Sequence, residues 1–170
     1  MRMMVVWLTT GLALGLSSVC GAGQNLAPNG SFEEGGDAPK GWVNTPGGLW
    51  ARNIAHSGER SLGGVGEQER LVWSSEPIAL PEEIADNLSG VRVEQSYRLD
   101  GWIKCRRGKG HLGADLLDAQ GRVLATVRTP PVTARAAWQF VAVETDAPAG
   151  AVAARLWCSV AGEAYLDDVM

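Results

Sequence analysis

Apolar and polar residues alternate along the chain in short stretches, which are separated by joints rich in Gly, Pro, Asp and Ala. Beyond residue 40 these stretches are RLVWSSEPIAL, SYRLDGWIKC, HLGADLLDAQG, RVLATVRT, WQFVAVET, AVAARLWCSV and AYLDDV. Alternation with a period of two is typical of half-buried strands, and the regular joints favour a sandwich. The sequence therefore predicts an all-β fold. The helix candidate is PEEIADNL, residues 81–88, where Pro81 fits the first helical position.

The alternation divides two stretches into a core face and an outer face, because successive side chains of a strand point to opposite sides. In residues 96–105 the core positions are Tyr97, Leu99, Gly101, Ile103 and Cys105. In residues 153–160 they are Ala154, Leu156, Cys158 and Val160. The outer positions are Arg98, Asp100, Trp102 and Lys104 in the first stretch, and Arg155, Trp157 and Ser159 in the second.

Trp102 and Trp157 thus fall on polar strand faces, which is an unusual place for a side chain that otherwise contributes to the core. One interpretation is sugar stacking: the apolar face of a pyranose covers an indole, and nearby polar groups bind the hydroxyls. Candidates for those polar groups are Asp100, Arg155 and Asp115. The alternative is that a surface loop covers the rings, so that they form a small second core.

The first 22 residues have the order of a secretory signal peptide: one basic residue, Arg2, then an apolar run, then small residues. Four Ser and Thr residues shorten the apolar run to roughly half of the about 20 residues that a membrane span needs. A lipid anchor at Cys20 is disfavoured, because bulky Val19 precedes it. The sequence predicts cleavage, export to the extracellular space or periplasm, and a single domain over residues 23–170.

Charge and cysteine content narrow the function classes further. The formal net charge is −4, and no basic run is longer than KCRRGK, which argues against nucleic acid as a partner. Without the leader, two cysteines remain, Cys105 and Cys158, in a compartment where disulfides persist. A bridge and a pair of buried thiols are both compatible with the sequence, which cannot supply the Cα separation that a bridge requires.

Sequence motifs of catalysis are absent. His56 and His111 lie in unrelated segments without metal-ligand spacing, and no nucleophile elbow, phosphate loop or dinucleotide fingerprint occurs. Asp100 and Asp115 share an outward parity and are the paired carboxylates that glycoside hydrolysis would need, but nothing indicates that either is desolvated. We expect His111 and Asp115 to be ordinary solvated strand residues, and we expect the protein not to be an enzyme.

Five motifs, in order, resemble the carbohydrate-binding modules of families 4, 9 and 22. They are NLAPNGSFEEGGDAPKGW at 25–42, AHSGERSL at 55–62, SYRLDGWIK at 96–104, WQFV at 138–141 and AYLDDV at 164–169. The resemblance implies a galactose-binding-like jelly roll, a β-sandwich of two antiparallel sheets whose first and last strands lie close together. Residues 81–95 depart from the pattern, because such modules usually have a short turn there.

The resemblance also implies a structural calcium ion where the two chain ends meet. Carried over residue by residue, its ligands are Glu33, the carbonyls of Ser57 and Gly58, and Asp167. Calcium prefers a mixture of carboxylates and backbone carbonyls. The alternatives are an exposed strand-end carboxylate for Glu33 and, for Asp167, a side chain that is hydrogen-bonded to the turn HSGERS.

These observations favour a secreted, non-catalytic module that binds a polysaccharide or glycan through its sheet-face tryptophans. The resemblance adds a glycoside hydrolase as an expected partner, on another chain or in a region outside this sequence. The alternative is a structural or adhesive β-sandwich of an extracellular or cell-surface assembly. A groove with Trp102 and Trp157 side by side would favour the first, and covered rings would favour the second.

Overall fold

The computed structural model describes residues 24–81 and 96–170, which form an antiparallel β-sandwich. The strands of this part are β1 (Trp42–Asn44), β2 (Gly48–Arg52), β3 (Arg60–Ser75), β4 (Ile78–Ala79), β5 (Ser96–Leu117), β6 (Val123–Arg128), β7 (Val132–Thr133), β8 (Gln139–Asp146) and β9 (Ala153–Asp167). The all-β prediction is confirmed. The predicted leader, and the helix candidate beyond Pro81, lie outside the described residues.

Three strands, β3, β5 and β9, are much longer than the stretches that the sequence suggested. The stretches SYRLDGWIKC and HLGADLLDAQG were expected to be separate strands, but β5 runs through both, and β9 likewise joins AVAARLWCSV to AYLDDV. The expected joints were wrong because glycine and polar residues inside these strands continue the hydrogen-bonded ladder. β9 lies between β3 and β5 and pairs with both.

Each long strand contributes to both sheets of the sandwich. The first sheet contains β1, β4, β6 and residues 70–75, 110–117 and 153–160 of the long strands. The second sheet contains β2, β8 and residues 60–66, 96–105 and 162–167. The two halves of β5 face each other across the core, since a Cβ atom added to Gly101 would lie 3.3 Å from Leu112 Cδ2.

The long strands pass from one sheet to the other at a pair of glycines. Gly108 of β5 is paired with Gly162 of β9, and their φ angles are +78° and +104°, which favour glycine. Next to them, a register shift between Cys105 and Arg107 inserts one extra residue into β5. The shift keeps the core face aligned, because Ile103 before it and Leu112 after it are both buried.

The core lies between the two sheets and draws on all three long strands. Its largest fully buried side chains include Trp73, Phe32, Leu62, Ile103, Leu112 and Leu166. Trp73 donates its indole N–H to the carbonyl of Gly63 at 2.9 Å, so the buried polar atom of this side chain is satisfied. Within the two described ranges, no helix is long and apolar enough to cross a membrane.

Cys105 and Cys158 are both buried, as their parity predicted, but both are free thiols. Cys105 is paired with Ala164 in the second sheet, whereas Cys158 is paired with Leu112 in the first. Opposing sheets lie about 10 Å apart, and a disulfide needs Cα atoms within about 7 Å. The possibility of a bridge is therefore wrong for this fold, and burial raises the pKa of Cys158 to about 12.

The glycine pair can be tested with a matched substitution. Gly108 and Gly121 have nearly equal φ angles, +78° and +76°, but only Gly108 lacks space, since an added Cβ would collide with the carbonyl of Ala161. Gly121→Ala should lower the unfolding free energy by about 1 kcal/mol through its φ angle alone. Gly108→Ala should lower it by roughly 2 kcal/mol more. Urea denaturation measures both, and equal losses would contradict this account of the bend.

Candidate functional site

The turn at residues 55–60 is held by carboxylates from both ends of the chain. Glu33 follows Phe32, which is fully buried, and its Oε1 accepts the backbone N–H groups of Glu59 at 2.8 Å and Arg60 at 2.9 Å. Gly58, with φ +63°, leaves room for that carboxylate, which a Cβ atom would displace. The N-terminal segment is therefore fixed to the turn by a charged acceptor.

The C-terminal end holds the same turn from the other side. Asp167 Oδ2 accepts the backbone N–H groups of His56 at 2.7 Å and Ser57 at 3.1 Å. The next carboxylate, Asp168, accepts Ser57 Oγ at 2.7 Å and lies 2.7 Å from His56 Nδ1. Asp167 thus makes the hydrogen bonds to the turn that the alternative describes, while its role as a calcium ligand stays a prediction. The convergence of Glu33, Ser57 and Asp167 on one turn also agrees with the predicted meeting of the chain ends.

These residues fit a calcium ion only in part. A carboxylate offers about four lone-pair positions, so the bonds to N–H groups leave acceptor capacity on Glu33 and Asp167. Calcium takes about six to eight oxygen ligands, and within the described parts of the chain no group of three His, Cys, Asp or Glu side chains is arranged to hold a metal. Backbone carbonyls such as that of Ser57 would have to complete the site, and calcium stays a prediction.

Burial makes Asp167 a titrating group near neutral pH. The side chain is fully buried, and desolvation raises its pKa from 3.8 to about 6, even though the N–H groups of Ser57, His56 and Asp168 lower it. The neighbouring charge of Asp168 also contributes to this raised pKa. The native state therefore binds a proton more readily than the unfolded chain between about pH 4 and pH 6.

Trp102 belongs to an aromatic cluster on the outer surface of the second sheet. We define the aromatic cluster as His56, Trp102, Trp138 and Phe140. The His56 ring stacks on the Trp102 ring, with centroids 3.9 Å apart. Phe140 makes an edge contact with Trp102 at 5.5 Å, and Trp138 makes one with His56 at 5.9 Å. One face of the Trp102 ring is therefore covered by His56, and Trp102 is half-buried.

Asp100, two residues before Trp102, is 6% exposed. Its Oδ2 accepts Arg98 Nε at 2.7 Å, and its Oδ1 is buried without a hydrogen-bond partner. An unsatisfied buried acceptor costs on the order of 1–3 kcal/mol. Asp100 is thus committed to an ion pair with Arg98, and the expected outward exposure of its carboxylate to a sugar is not found.

Trp157 lies on the opposite outer surface of the sandwich, against Gly113 of the neighbouring strand. A Cβ atom added to Gly113 would overlap the six-membered part of the indole, so the ring occupies the space that glycine leaves. Trp157 Nε1 donates to Asp115 Oδ1 at 3.2 Å, and Thr126 Oγ1 donates to the same oxygen at 2.8 Å. Arg155 is the cross-strand partner of Asp115. Of the five side chains predicted to bind a sugar, Trp157, Asp115 and Arg155 thus lie together on this surface, and their role in binding stays a prediction.

A charged cluster around Glu69 lies beside Trp157 and was not predicted. Glu69 Oε2 is 2.6 Å from Lys109 Nζ. Glu69 Oε1 is 3.4 Å from Ser159 Oγ and 3.8 Å from Arg128 Nη1. The hydrogen bond from Lys109 lowers the pKa of Glu69. A register shift between Gly66 and Arg70 carries Glu69 over this surface, and only the break in alternation at GEQER could have indicated it.

His111 belongs to the same cluster and corrects another expectation. It is 4% exposed rather than solvated, and its Nδ1 donates to the carbonyl of Thr129 at 3.1 Å, since a carbonyl can only accept. Its Nε2 is 3.9 Å from Glu69 Oε1. We call the outer surface formed by Trp157, Asp115, Arg155, Glu69 and His111 the Trp157 face.

Trp102 and Trp157 do not lie side by side. Gly101 faces Leu112 across the core, so the next residues along β5, Trp102 and Gly113, have the opposite parity and lie on the outer sides of the two sheets. The strand also changes sheet between them, so the two rings lie on opposite outer surfaces. The expected single groove is therefore wrong, and the cause is the continuity of β5, which the sequence pattern did not show.

No protein-family model matches the chain, and no curated protein matches it in sequence. Solved structures do match its fold. The xylan-binding CBM22-1 domain of Xyn10C from Paenibacillus barcinonensis is 17% identical with a TM-score of 0.55, covering 82% of this chain and 88% of that one. The module TmCBM61, in complex with β-1,4-galactotriose, is 18% identical with a TM-score of 0.53, covering 86% and 97%.

The enzymatically active domain of tailspike protein 4 from bacteriophage CBA120 is 16% identical with a TM-score of 0.60, covering 86% of this chain. This chain spans only 21% of the tailspike chain. Identities this low show the fold alone. The chain has the jelly-roll fold of carbohydrate-binding modules, which confirms the fold that the sequence resemblance implied.

Calcium binding at the turn predicts a stability difference between calcium and chelator. An ion that binds only the native state raises the unfolding free energy by about 2.7 kcal/mol at a hundredfold excess over Kd. Glu33→Gln and Asp167→Asn should each abolish the difference, and magnesium should replace calcium poorly, because it demands a tighter octahedral shell. Glu34→Gln is the control, since Glu34 is exposed and lies 4.0 Å from Lys40. Identical melting curves in calcium and EDTA would contradict the site.

The raised pKa of Asp167 predicts a pH dependence, which is measured in EDTA to exclude metal. Because the native state holds the extra proton, the unfolding free energy of the wild type should rise relative to Asp167→Asn as pH falls from about 6 to 4. The expected gain is on the order of 2 kcal/mol. Denaturation curves at several pH values give the difference, and a difference that is constant from pH 7.5 to 4.5 would refute the buried carboxylate as its source.

Proposed function

We propose that this chain is a secreted, non-catalytic module that binds a polysaccharide or glycan on the Trp157 face. The observation that carries the proposal is the placement of Trp157: an indole on an outer sheet surface, seated on a glycine and bordered by charged side chains. A sugar ring can cover such an indole with its C–H face. Export rests on the predicted leader and is part of the proposal.

The polar groups of the Trp157 face are arranged at both ends of the indole. Asp115 and Arg155 lie at one end, two cross-strand positions from Gly113 and Trp157 and on the same face. Glu69, with Lys109 and Arg128, lies at the other end beside Ser159. Carboxylates accept hydrogen bonds from sugar hydroxyls, and ammonium and guanidinium groups donate to their oxygens. Neighbouring sugar units of one chain would meet different polar groups, which supplies specificity.

The absence of catalysis is proposed from the positions of the two candidate carboxylates. Asp100 belongs to the second sheet and Asp115 to the first, and both lie on outward positions, so the core separates them. Glycoside hydrolysis needs two carboxyl groups on either side of one bond, within about 10 Å. Asp100 and Asp115 therefore do not form a hydrolytic pair, and the proposed role is binding alone.

The choice of ligands for testing follows from the solved structures with the same fold. One is described as xylan-binding and another contains β-1,4-galactotriose. We include both polymers with β-glucan and mannan, because the fold does not select among them. A glycoside hydrolase on another chain is the partner that the resemblance suggests.

Affinity electrophoresis against this panel tests the proposal. Trp157→Ala should weaken binding about 5- to 30-fold, because an aromatic contact with its buried area contributes roughly 1–2 kcal/mol. Gly113→Ala should weaken it similarly, since the new methyl group displaces the indole without removing it. Trp102→Ala is the matched control and should retain affinity for neutral polymers.

Thermal melts of the three variants separate lost binding from lost folding. Trp157 is half-buried, so Trp157→Ala should remain folded. Unchanged affinity in Trp157→Ala would contradict the proposed surface. No binding by the wild type across the whole panel would favour the alternative, a structural or adhesive module.

A further inference from the structure

A basic cleft lies on the outer surface of the second sheet, where β5 meets the segment that leads into β8. The cleft encloses about 490 Å³ and is lined by Lys104, Arg106, Ala134, Arg135 and Ala136. Its second wall is fixed to the strand, because Arg135 N donates to the carbonyl of Cys105 at 2.8 Å and Ala134 N to that of Gly108 at 3.2 Å. Lys104 and Arg106 of β5 thus form one wall, and Arg135, in the segment bonded to that strand, belongs to the other.

Within the described residues, one of these cations has an acidic partner and two have none. Arg106 Nη1 lies 3.1 Å from Glu163 Oε1, which also accepts a hydrogen bond from the hydroxyl of Tyr165 at 2.7 Å. By contrast, across residues 24–81 and 96–170, neither Lys104 nor Arg135 forms a salt bridge. Like charges on facing walls repel each other, and an anion between them would remove that repulsion.

Aromatic residues follow or precede the lining residues closely on both walls. Trp102 precedes Lys104 by two residues on β5, so the two side chains share the outer surface. On the other wall, Trp138 follows Arg135 by three residues and contacts His56 of the aromatic cluster. Asp168, which lies beside this cluster, is paired with His56 at 2.7 Å. The cleft therefore carries positive charge that no acid of the described residues pairs, and aromatic side chains lie on the same sheet surface nearby.

We propose that the basic cleft is a second ligand site, which binds a sugar unit carrying an anionic group, a uronate carboxylate or a sulfate ester. The anion lies between Lys104 and Arg135, where the guanidinium offers paired N–H donors and the ammonium a point charge. The pyranose ring lies on the neighbouring aromatic surface. The site is on the opposite side of the sandwich from the Trp157 face and does not depend on it.

The chemistry favours an acidic sugar over a nucleic acid. The cationic groups on the cleft walls number only three, and the chain as a whole carries a formal net charge of −4, whereas nucleic-acid surfaces present extended basic stripes. A single anionic group per sugar, spaced along a polymer, matches a cleft with two unpaired cations. The two surfaces would let one module hold neutral and acidic glycans separately.

Calorimetric titration of the full chain tests the proposal with matched probes. One pair of probes tests for a carboxylate: an oligogalacturonide and its neutral methyl ester. The other pair tests for a sulfate: dextran sulfate and neutral dextran. We expect one charged probe to bind at least about tenfold more tightly than its neutral counterpart, because one charge-assisted hydrogen bond contributes about that much to affinity. Which pair shows the difference identifies the anionic group.

Variants assign the binding to the cleft. The double substitution Lys104→Ala with Arg135→Ala should reduce charged-probe affinity at least about tenfold, while Lys40→Ala with Arg52→Ala removes the same charge elsewhere and should not. Trp157→Ala should leave it unchanged, which separates this site from the proposed function. The proposal is overturned by equal binding of charged and neutral probes, by an unaffected cleft variant, or by polyphosphate binding as tightly as either acidic glycan.

Discussion

The pairing of β5 with β9 is the constraint on which the rest of the structure depends. These two strands stay hydrogen-bonded from one sheet into the other, and they can turn together only because Gly108 and Gly162 face each other at the bend. A side chain at either position would meet the backbone of the opposite strand. The shared bend fixes which outward positions lie on which surface. It thereby divides the polar and aromatic outer residues into two separate surfaces.

The chain ends close the second sheet through hydrogen bonds to one turn. Glu33 from the N-terminal segment and Asp167 from the end of β9 each accept two backbone N–H groups of residues 56–60. A buried carboxylate that accepts several N–H groups is a strong but costly interaction, because its charge is desolvated. That cost appears as the raised pKa of Asp167. A calcium ion at this place would favour the ionised form.

Sequence alternation predicted local side-chain direction well. Ile103 and Cys105, like Leu156 and Cys158, point into the core as expected, because alternation is a property of a single strand. The resemblance to carbohydrate-binding modules supplied the sandwich, and the structure confirms that fold. Asp115, Arg155 and Trp157 lie together because they are on adjacent strands in register, whereas Trp102 and Asp100, predicted for the same site, do not join them.

Relations between distant segments could not be predicted in the same way. The expected groove failed because β5 was taken as two strands, which hid the change of sheet between Trp102 and Trp157. The sequence allowed a disulfide between Cys105 and Cys158 because it did not show that the two residues lie in different sheets. Glu69 was missed because a register shift, which no periodicity reports, places it beside His111 and Lys109.

The central claim is that an indole seated on a glycine makes the Trp157 face a glycan-binding surface. The most direct measurement is an NMR titration of the tryptophan indole N–H signals with soluble xylan and β-1,4-galactan oligosaccharides. The account predicts that the Trp157 Nε1–H signal shifts with saturation, because it is bonded to Asp115 at this surface, while that of fully buried Trp73 stays fixed. Saturable binding that leaves the Trp157 signal unchanged would contradict the account.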